Sequence, residues 1–300
     1  MLTPREIIAQ AWTITTTEPG LKRWGYFGST LRLLLDIKLI GYQIYFLHAY
    51  IEGKNVGLFD DFILLHGLVS FPVFMTIVIS FCILLLAEIF LPSFTDGAII
   101  GLAAKAHAKQ KPSGGFIMAL YNFFPIFTVH EIFVFSGLNL LITAISLVLR
   151  YGSGLEPFLI VISIILWLLS SFLKFFSSFA EPAVVVSKKG VFESVNHSIK
   201  LVFSYPWHII FLILLLLIIT IRIFINIAVL IIVPGIAVGL GLFFTYFMTP
   251  AVSYTIAAVI GIALIGTASY FFTYLHVFKQ TVWTIMYMEL IKEKDLDKID

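Results

Sequence analysis

Residues 207–233 form a run of 27 positions interrupted only by His208, Thr220, Arg222 and Asn226. A helix of about 20 apolar residues crosses the hydrocarbon core of a bilayer, and inside lipid only helices and closed barrels satisfy their own backbone polar groups. Comparable runs fall at 24–47, 62–90, 126–149, 158–180 and 251–275. Their length is that of a helical span, whereas a barrel would show alternating strands of about ten residues. The pattern predicts an all-α fold: a polytopic transmembrane helical bundle of six spans, with residues 1–300 as one integral membrane domain and 24–275 as the bundle. Residues 235–248, bracketed by Pro234 and Pro250, are too few to cross comfortably and read as an interfacial or re-entrant segment.

The connections carry helical signals of their own. Thr3-Pro4-Arg5-Glu6 is a capping-box start with proline at the first helical position. Ile7, Ile8, Ala11 and Trp12 then fall on one face, which predicts a surface-lying amphipathic helix within 1–20. Residues 190–204 repeat the design, with Phe192, Val195, Ile199 and Val202 on one side and Glu193, Asn196, His197 and Lys200 elsewhere. Tyr205-Pro206-Trp207 then turns the chain into the membrane. Phe116, Leu120, Phe123 and Phe124 make a third such helix, ending at Pro125. Each precedes an odd-numbered span. Residues 276–300 read as a C-terminal helix and tail.

Orientation follows from the basic residues, because loops rich in Lys and Arg stay on the cytoplasmic side. Of 19 such residues, 13 fall on the side that holds both termini, two (Lys54 and Arg150) on the other, and four inside spans. The expected location is the cytoplasmic membrane, with both termini cytoplasmic. Charged residues make up only 12% of the chain against about 25% in soluble domains. That leaves no soluble domain for a nucleic-acid role, and membrane lipids are the expected partners. Cys82 is the single cysteine, which excludes an internal disulfide and a thiolate metal cluster. The N-terminus shows no short apolar stretch with a small-residue cleavage site, so no cleaved signal is expected.

Glu181-Pro182-Ala183-Val184-Val185-Val186-Ser187-Lys188-Lys189-Gly190-Val191-Phe192-Glu193-Ser194, followed by Ser198 and the turn at Trp207, resembles a known membrane group. It is similar to the membrane domain attached to some bacterial glycerophosphoryl diester phosphodiesterases and to the stand-alone relatives of that domain. Asp96-Gly97 through Lys111-Pro112-Ser113 and the closing Thr281-Val282-Trp283 to Tyr287-Met288-Glu289-Leu290 fit the same pattern. The resemblance spans about residues 91–290 and implies a bundle of about six helices. Its enzymatic members carry their chemistry on a separate soluble barrel, so the resemblance brings no catalytic residue.

Local motifs for catalysis fail on inspection. His130-Glu131-Ile132-Phe133-Val134 approaches the His-Glu-x-x-His zinc motif, but Val134 stands where the second ligand belongs. Gly152-Ser153-Gly154 is an ordinary short loop with no paired histidine. The chain is therefore expected to be no enzyme and to use no cofactor or metal.

Charges inside the spans are the remaining chemistry. An ionisable side chain at bilayer depth costs about 2.5–3.5 kcal/mol, so it needs a partner, a water cavity or a task. Arg32, Asp36, Glu88, Glu131, Lys174 and Arg222 qualify. Arg32 and Asp36 lie one turn apart and can pair on one face. Glu88, Glu131 and Lys174 share a depth near the cytoplasmic ends of spans two to four. Arg222, 15 residues into the fifth span, needs an internal acceptor such as Asp36, Glu88 or Glu131. Lys38 is set aside as a residue that faces water. The six form either a structural network or a cytoplasm-facing cavity that binds an anionic small molecule or lipid headgroup through Arg32, Lys174 and Arg222. Gly97-x-x-x-Gly101 and Gly235-x-x-x-Gly239 permit close helix approach. Lys105, His107, Lys109 and Lys111 with Lys188, Lys189 and Lys200 make a basic cytoplasmic rim. The leading expectation is a non-enzymatic membrane protein in envelope organisation or partner scaffolding, and the alternative is a transporter or lipid-handling protein that uses the buried charges.

Overall fold

A computed structural model describes residues 2–54, 57, 60–152 and 154–293, with the side chains of Asp61, 222–238 and scattered positions of 242–268 outside the description. Among the described residues the chain is all-helical: α1 (Pro4–Thr17), α2 (Pro19–Ile51), α3 (Asp60–Leu68), α4 (Phe71–His107), α5 (Gly115–Ile132), a 3-10 turn (Val134–Ser136), α6 (Leu138–Tyr151), α7 (Glu156–Phe176), α8 (Ala180–Ser187), α9 (Val191–Ser204), α10 (Pro206–Phe244) and α11 (Pro250–Glu293). Three stretches of the described residues, Phe71–His107, Gly115–Ile132 and Glu156–Ser187, are long and apolar enough to cross a membrane. The pair Val191–Ser204 and Pro206–Ile221, bent by 97°, makes a fourth if counted together.

Several predicted boundaries move, each for a local reason. The run 62–90 is divided at Ser70, the N-cap of α4, with Pro72 in the first turn, where its missing N–H costs nothing. From there α4 continues to His107, well past the expected end at Phe90. Pro125 does not end α5, which runs through it to Ile132. The run 126–149 breaks instead at Phe133, where the chain passes through the 3-10 turn to Gly137, the N-cap of α6. Residues 235–244 are no separate segment, because α10 continues through Pro234 to Phe244. Likewise α11 carries on past the expected span end at Leu275 to Glu293, and the tail at 294–300 lies outside the described residues.

The core sits at one end of the bundle. Ile7, Ala11 and Ile14 of α1 pack with Ile99, Leu102 and Ala103 of α4, Leu201 and Val202 of α9, Leu212 of α10, and Val277, Val282, Ile285 and Met286 of α11. Thr3 accepts from the Glu6 N–H and the Glu6 carboxylate accepts from the Thr3 N–H, the reciprocal cap expected of the sequence. Spacing of four and three places Ile7, Ala11 and Ile14 on one face, and that face is covered by α11. Trp12, expected on this face, is instead half exposed and meets the edge of Phe278.

In α9 the bundle-facing stripe is Ser194, His197, Ser198, Leu201 and Val202, while Phe192 points outward and is 82% exposed. Of the expected apolar side, Val202 is buried against the bundle and Phe192 faces outward. Ser198 sets the bundle-facing stripe: its hydroxyl donates to the Phe176 carbonyl at 2.7 Å and accepts from the Phe179 N–H at 3.0 Å. It satisfies the backbone groups freed where α7 gives way to α8, a task only a short polar side chain on that face can perform. Gly97 and Gly101 carry the close approach of α4 to α5, since a Cβ at Gly97 would stand 3.3 Å from the Ala119 backbone. At Gly239 a Cβ would meet nothing within 4 Å, and the surroundings of Gly235 lie outside the described residues.

The basic rim is tied down. Lys105 donates to the Ser113 carbonyl, Lys188 lies over the Tyr121 ring and Lys189 pairs with Glu193. His107 meets the Glu289 carboxylate at 3.2 Å, and Glu289 also accepts from Lys292 at 2.6 Å and from the Leu2 N–H at 3.2 Å. Burial works against the Glu289 charge, but the bonds from Lys292, Leu2 and His107 outweigh it and hold the carboxyl below the ordinary glutamate range. A carboxylate so depressed adds stability that is complete above about pH 4.3 and is lost as pH falls through its folded pKa. The wild-type protein is therefore expected to melt at lower temperature below about pH 4. Glu289→Gln should flatten part of that fall, as thermal melts in detergent across pH will show.

Candidate functional site

Three long helices meet at a polar centre that joins α2, α4 and α11. Asp96 of α4 is 2% exposed in an apolar surround, so its carboxylate needs charged or hydrogen-bonding partners. Arg32 Nη2 of α2 donates to one oxygen at 3.1 Å, and His276 Nε2 of α11 lies 2.6 Å from the other. Arg32 Nη1 stands 3.3 Å from His276 Nδ1. Arginine only donates, so Nδ1 accepts and the His276 proton sits on Nε2, aimed at Asp96. The three side chains thus close a ring in which each is bonded to both others.

Two further clasps flank this centre. Lys38 reaches the buried Glu88 through both oxygens, at 2.7 and 2.9 Å, and lies over the Phe81 ring. The sequence reading that put Lys38 in water is corrected: a carboxylate 1% exposed on α4 calls for a cation, and Lys38 is the one α2 presents to it. Asp36 accepts from the Asn139 amide of α6, so it joins α2 to α6. Arg32 turns to Asp96, one helix away, and the expected Arg32–Asp36 pair is not the one formed.

The remaining predicted residues lie apart. Glu131 is exposed on the outside of α5 and is not drawn into the centre. Lys174 lies on α7 beside a different cavity. The Arg222 side chain is outside the described residues, so its acceptor is not defined. Asp96, His276, Glu181, Gln280, Lys279 and Asn139 are the residues that sequence reasoning did not select.

Two cavities open off this polar interior. The first, about 310 Å³, is lined by Ser29, Arg32, Leu33 and Asp36 of α2, Thr220 of α10, and Phe272, Leu275, His276 and Lys279 of α11. The Arg32 side chain is 35% exposed, which leaves donors free beyond those spent on Asp96 and His276. Lys279 makes no hydrogen bond or ion pair among the described residues, and the Ser29 hydroxyl is likewise without a partner. The walls thus carry two cations, one carboxylate already occupied by Asn139, and neutral hydrogen-bonding groups.

The second cavity, about 180 Å³, lies on the next turn of α11. It is lined by Val129, His130, Phe133, Lys174, Ser177, Ser178, Glu181, Gln280 and Trp283. Glu181 accepts from Gln280 at 2.9 Å. His130 stands in the last turn of α5, within electrostatic reach of Arg32, Glu181, Lys174 and Asp96. No group of three or more metal-ligating side chains occurs among the described residues.

The arrangement is that of a helical bundle with apolar helices of membrane-crossing length and polar cavities in its interior. Comparisons with protein-family models, with curated proteins and with solved structures return no match.

Proposed function

We propose that the chain is a six-span protein of the cytoplasmic membrane, both termini inside the cell, that handles an anionic small molecule or lipid headgroup in the cavity beside Arg32, His276 and Lys279, without itself being an enzyme. The observation that carries this reading is Lys279: a cation without a partner among the described residues, sharing a 310 Å³ cavity with the partly exposed Arg32. A bound anion would compensate Lys279 and take the donors that Arg32 has to spare beyond Asp96 and His276. A scaffold that used its charges only to hold helices in register would need the Arg32–Asp96 and Lys38–Glu88 clasps, but it has no use for Lys279.

Further features support the same placement. The 13-to-2 division of basic residues puts the core end, with α1 and α9, on the cytoplasmic side. The 97° bend between α9 and α10 lets α9 lie in the membrane plane while α10 crosses it, with Phe192 and Trp207 turned outward towards lipid. Kinship with the membrane domain of glycerophosphoryl diester phosphodiesterases belongs to this proposal and rests on the segment 181–194 and its two companions.

Native mass spectrometry of protein extracted in mild detergent tests it. The wild type is expected to retain an anionic small molecule or lipid, and Lys279→Met to lose it while melting at an unchanged temperature. Equal retention by wild type and variant would reject the reading, as would a wild type that carries no anionic ligand.

A further inference from the structure

The second cavity is separate from the site just described and is built from groups of both signs. Its lining brings together groups that can donate, Lys174, His130 and the Ser177 hydroxyl, and the carboxylate of Glu181, with the Trp283 ring in the same wall. Glu181 is engaged by Gln280 through one oxygen only. Lys174 Nζ, the His130 ring nitrogens, the Ser177 hydroxyl and the Trp283 indole N–H have no hydrogen-bond partner among the described residues. An ammonium and a carboxylate that share a cavity without forming a contact pair define the two ends of a zwitterion. A volume of about 180 Å³ suits a compact polar group.

We propose that this cavity binds the headgroup of a zwitterionic phospholipid with a primary ammonium, phosphate towards Lys174, His130 and Ser177, and ammonium between the Glu181 carboxylate and the Trp283 ring. An ammonium over an aromatic face beside a carboxylate is a favourable site for that charge, and a phosphate oxygen takes donors from lysine, hydroxyl and imidazole alike. The source is a lipid and not a free metabolite because of where the cavity lies. Lys174, which lines the cavity, is itself exposed on α7, next to the exposed apolar residues Phe172 and Leu173. It also stands within two turns of the cytoplasmic end of its helix, the depth at which inner-leaflet headgroups lie.

The test is equilibrium binding of short-chain lipids to the delipidated, detergent-solubilised protein, followed by native mass spectrometry. The probes are a phosphatidylethanolamine, a phosphatidylcholine, a phosphatidylglycerol and free phosphoethanolamine. Wild type is expected to favour the phosphatidylethanolamine over the other two lipids by about tenfold, and free phosphoethanolamine to bind far more weakly. Glu181→Gln, which keeps an acceptor for Gln280, should abolish the preference for the ethanolamine head while leaving the phosphatidylglycerol affinity unchanged. Lys174→Met should weaken all three lipids, and Lys174→Arg should restore them, which separates binding from misfolding. Lys279→Met should leave the preference intact, so failure of this site and failure of the first cavity are read independently. A wild type without headgroup preference, or Glu181→Gln with the preference retained, would overturn the proposal. Free phosphoethanolamine bound as tightly as the lipid would overturn the lipid as its source.

Discussion

Asp96→Ala is expected to destabilise the detergent-solubilised protein by about 3–5 kcal/mol, the range for removing one member of a buried ion pair. The carboxylate is the common acceptor of Arg32 and His276, so its loss leaves the guanidinium without its counter-charge and the imidazole N–H without an acceptor. Asp96→Asn keeps one acceptor oxygen and should fall in between. The double variant Arg32→Met, Asp96→Leu should recover much of the loss, since well-packed apolar side chains replace buried pairs with little penalty. Denaturant or thermal unfolding monitored by circular dichroism checks this. An Asp96→Ala protein that unfolds with the wild type would show that the ring contributes nothing.

The second large effect is steric. Gly28 lies one turn before Arg32 on α2, and a Cβ placed there would run into the Thr95 hydroxyl of α4, next to Asp96. Any larger residue must push α2 off α4 at the level of the ring. Gly28→Ala is therefore expected to cost about 1–3 kcal/mol, the range for overpacking a filled core, although alanine is the better helix former in isolation. Thr95→Ala removes the obstructing hydroxyl and should relieve the defect when combined with Gly28→Ala. The same melts, run on both single variants and the double, give the coupling directly.

Much of the helix content was legible, because apolar runs of this length have no other stable form in lipid. The capping box at Thr3 and Glu6 and the close approach at Gly97 and Gly101 were also readable, since both are local signals with one geometric meaning. The ends of the long helices were not. Hydropathy closes a span where polar residues begin, and so it stopped at Phe90 and Leu275. Asp96, His276 and Lys279 lie just beyond those points and were assigned to the aqueous side. In the fold α4 and α11 run on, and these residues face inward across a packed end of the bundle. The centre of the site was thus hidden by the rule that located the spans.

Partner choice was illegible for a related reason. Arg32 and Asp36 satisfy the one-turn spacing for a pair, but that spacing cannot reveal that Asp96 and Asn139 on neighbouring helices offer each of them a closer fit. Lys38 was discounted on depth alone, whereas the buried Glu88 opposite it decides its position. Grouping Arg32 with Lys174 came from their shared sign and approximate depth. The fold places Arg32 on α2 and Lys174 on α7, in separate cavities beside successive turns of α11.

The account turns on whether the cavity beside Arg32 and Lys279 is a positively charged space reached from the cytoplasm. Cys82, the single cysteine, can be replaced by alanine, and Leu33, which lines the cavity without bonding to the ring, by cysteine. Inside-out membrane vesicles are then treated with an anionic and a cationic methanethiosulfonate of similar size, and the rates of modification are compared. The account predicts that Leu33→Cys reacts at least about tenfold faster with the anionic reagent, and that Lys279→Met added to it removes most of that difference. Faster reaction with the cationic reagent, or no reaction with either, would contradict it.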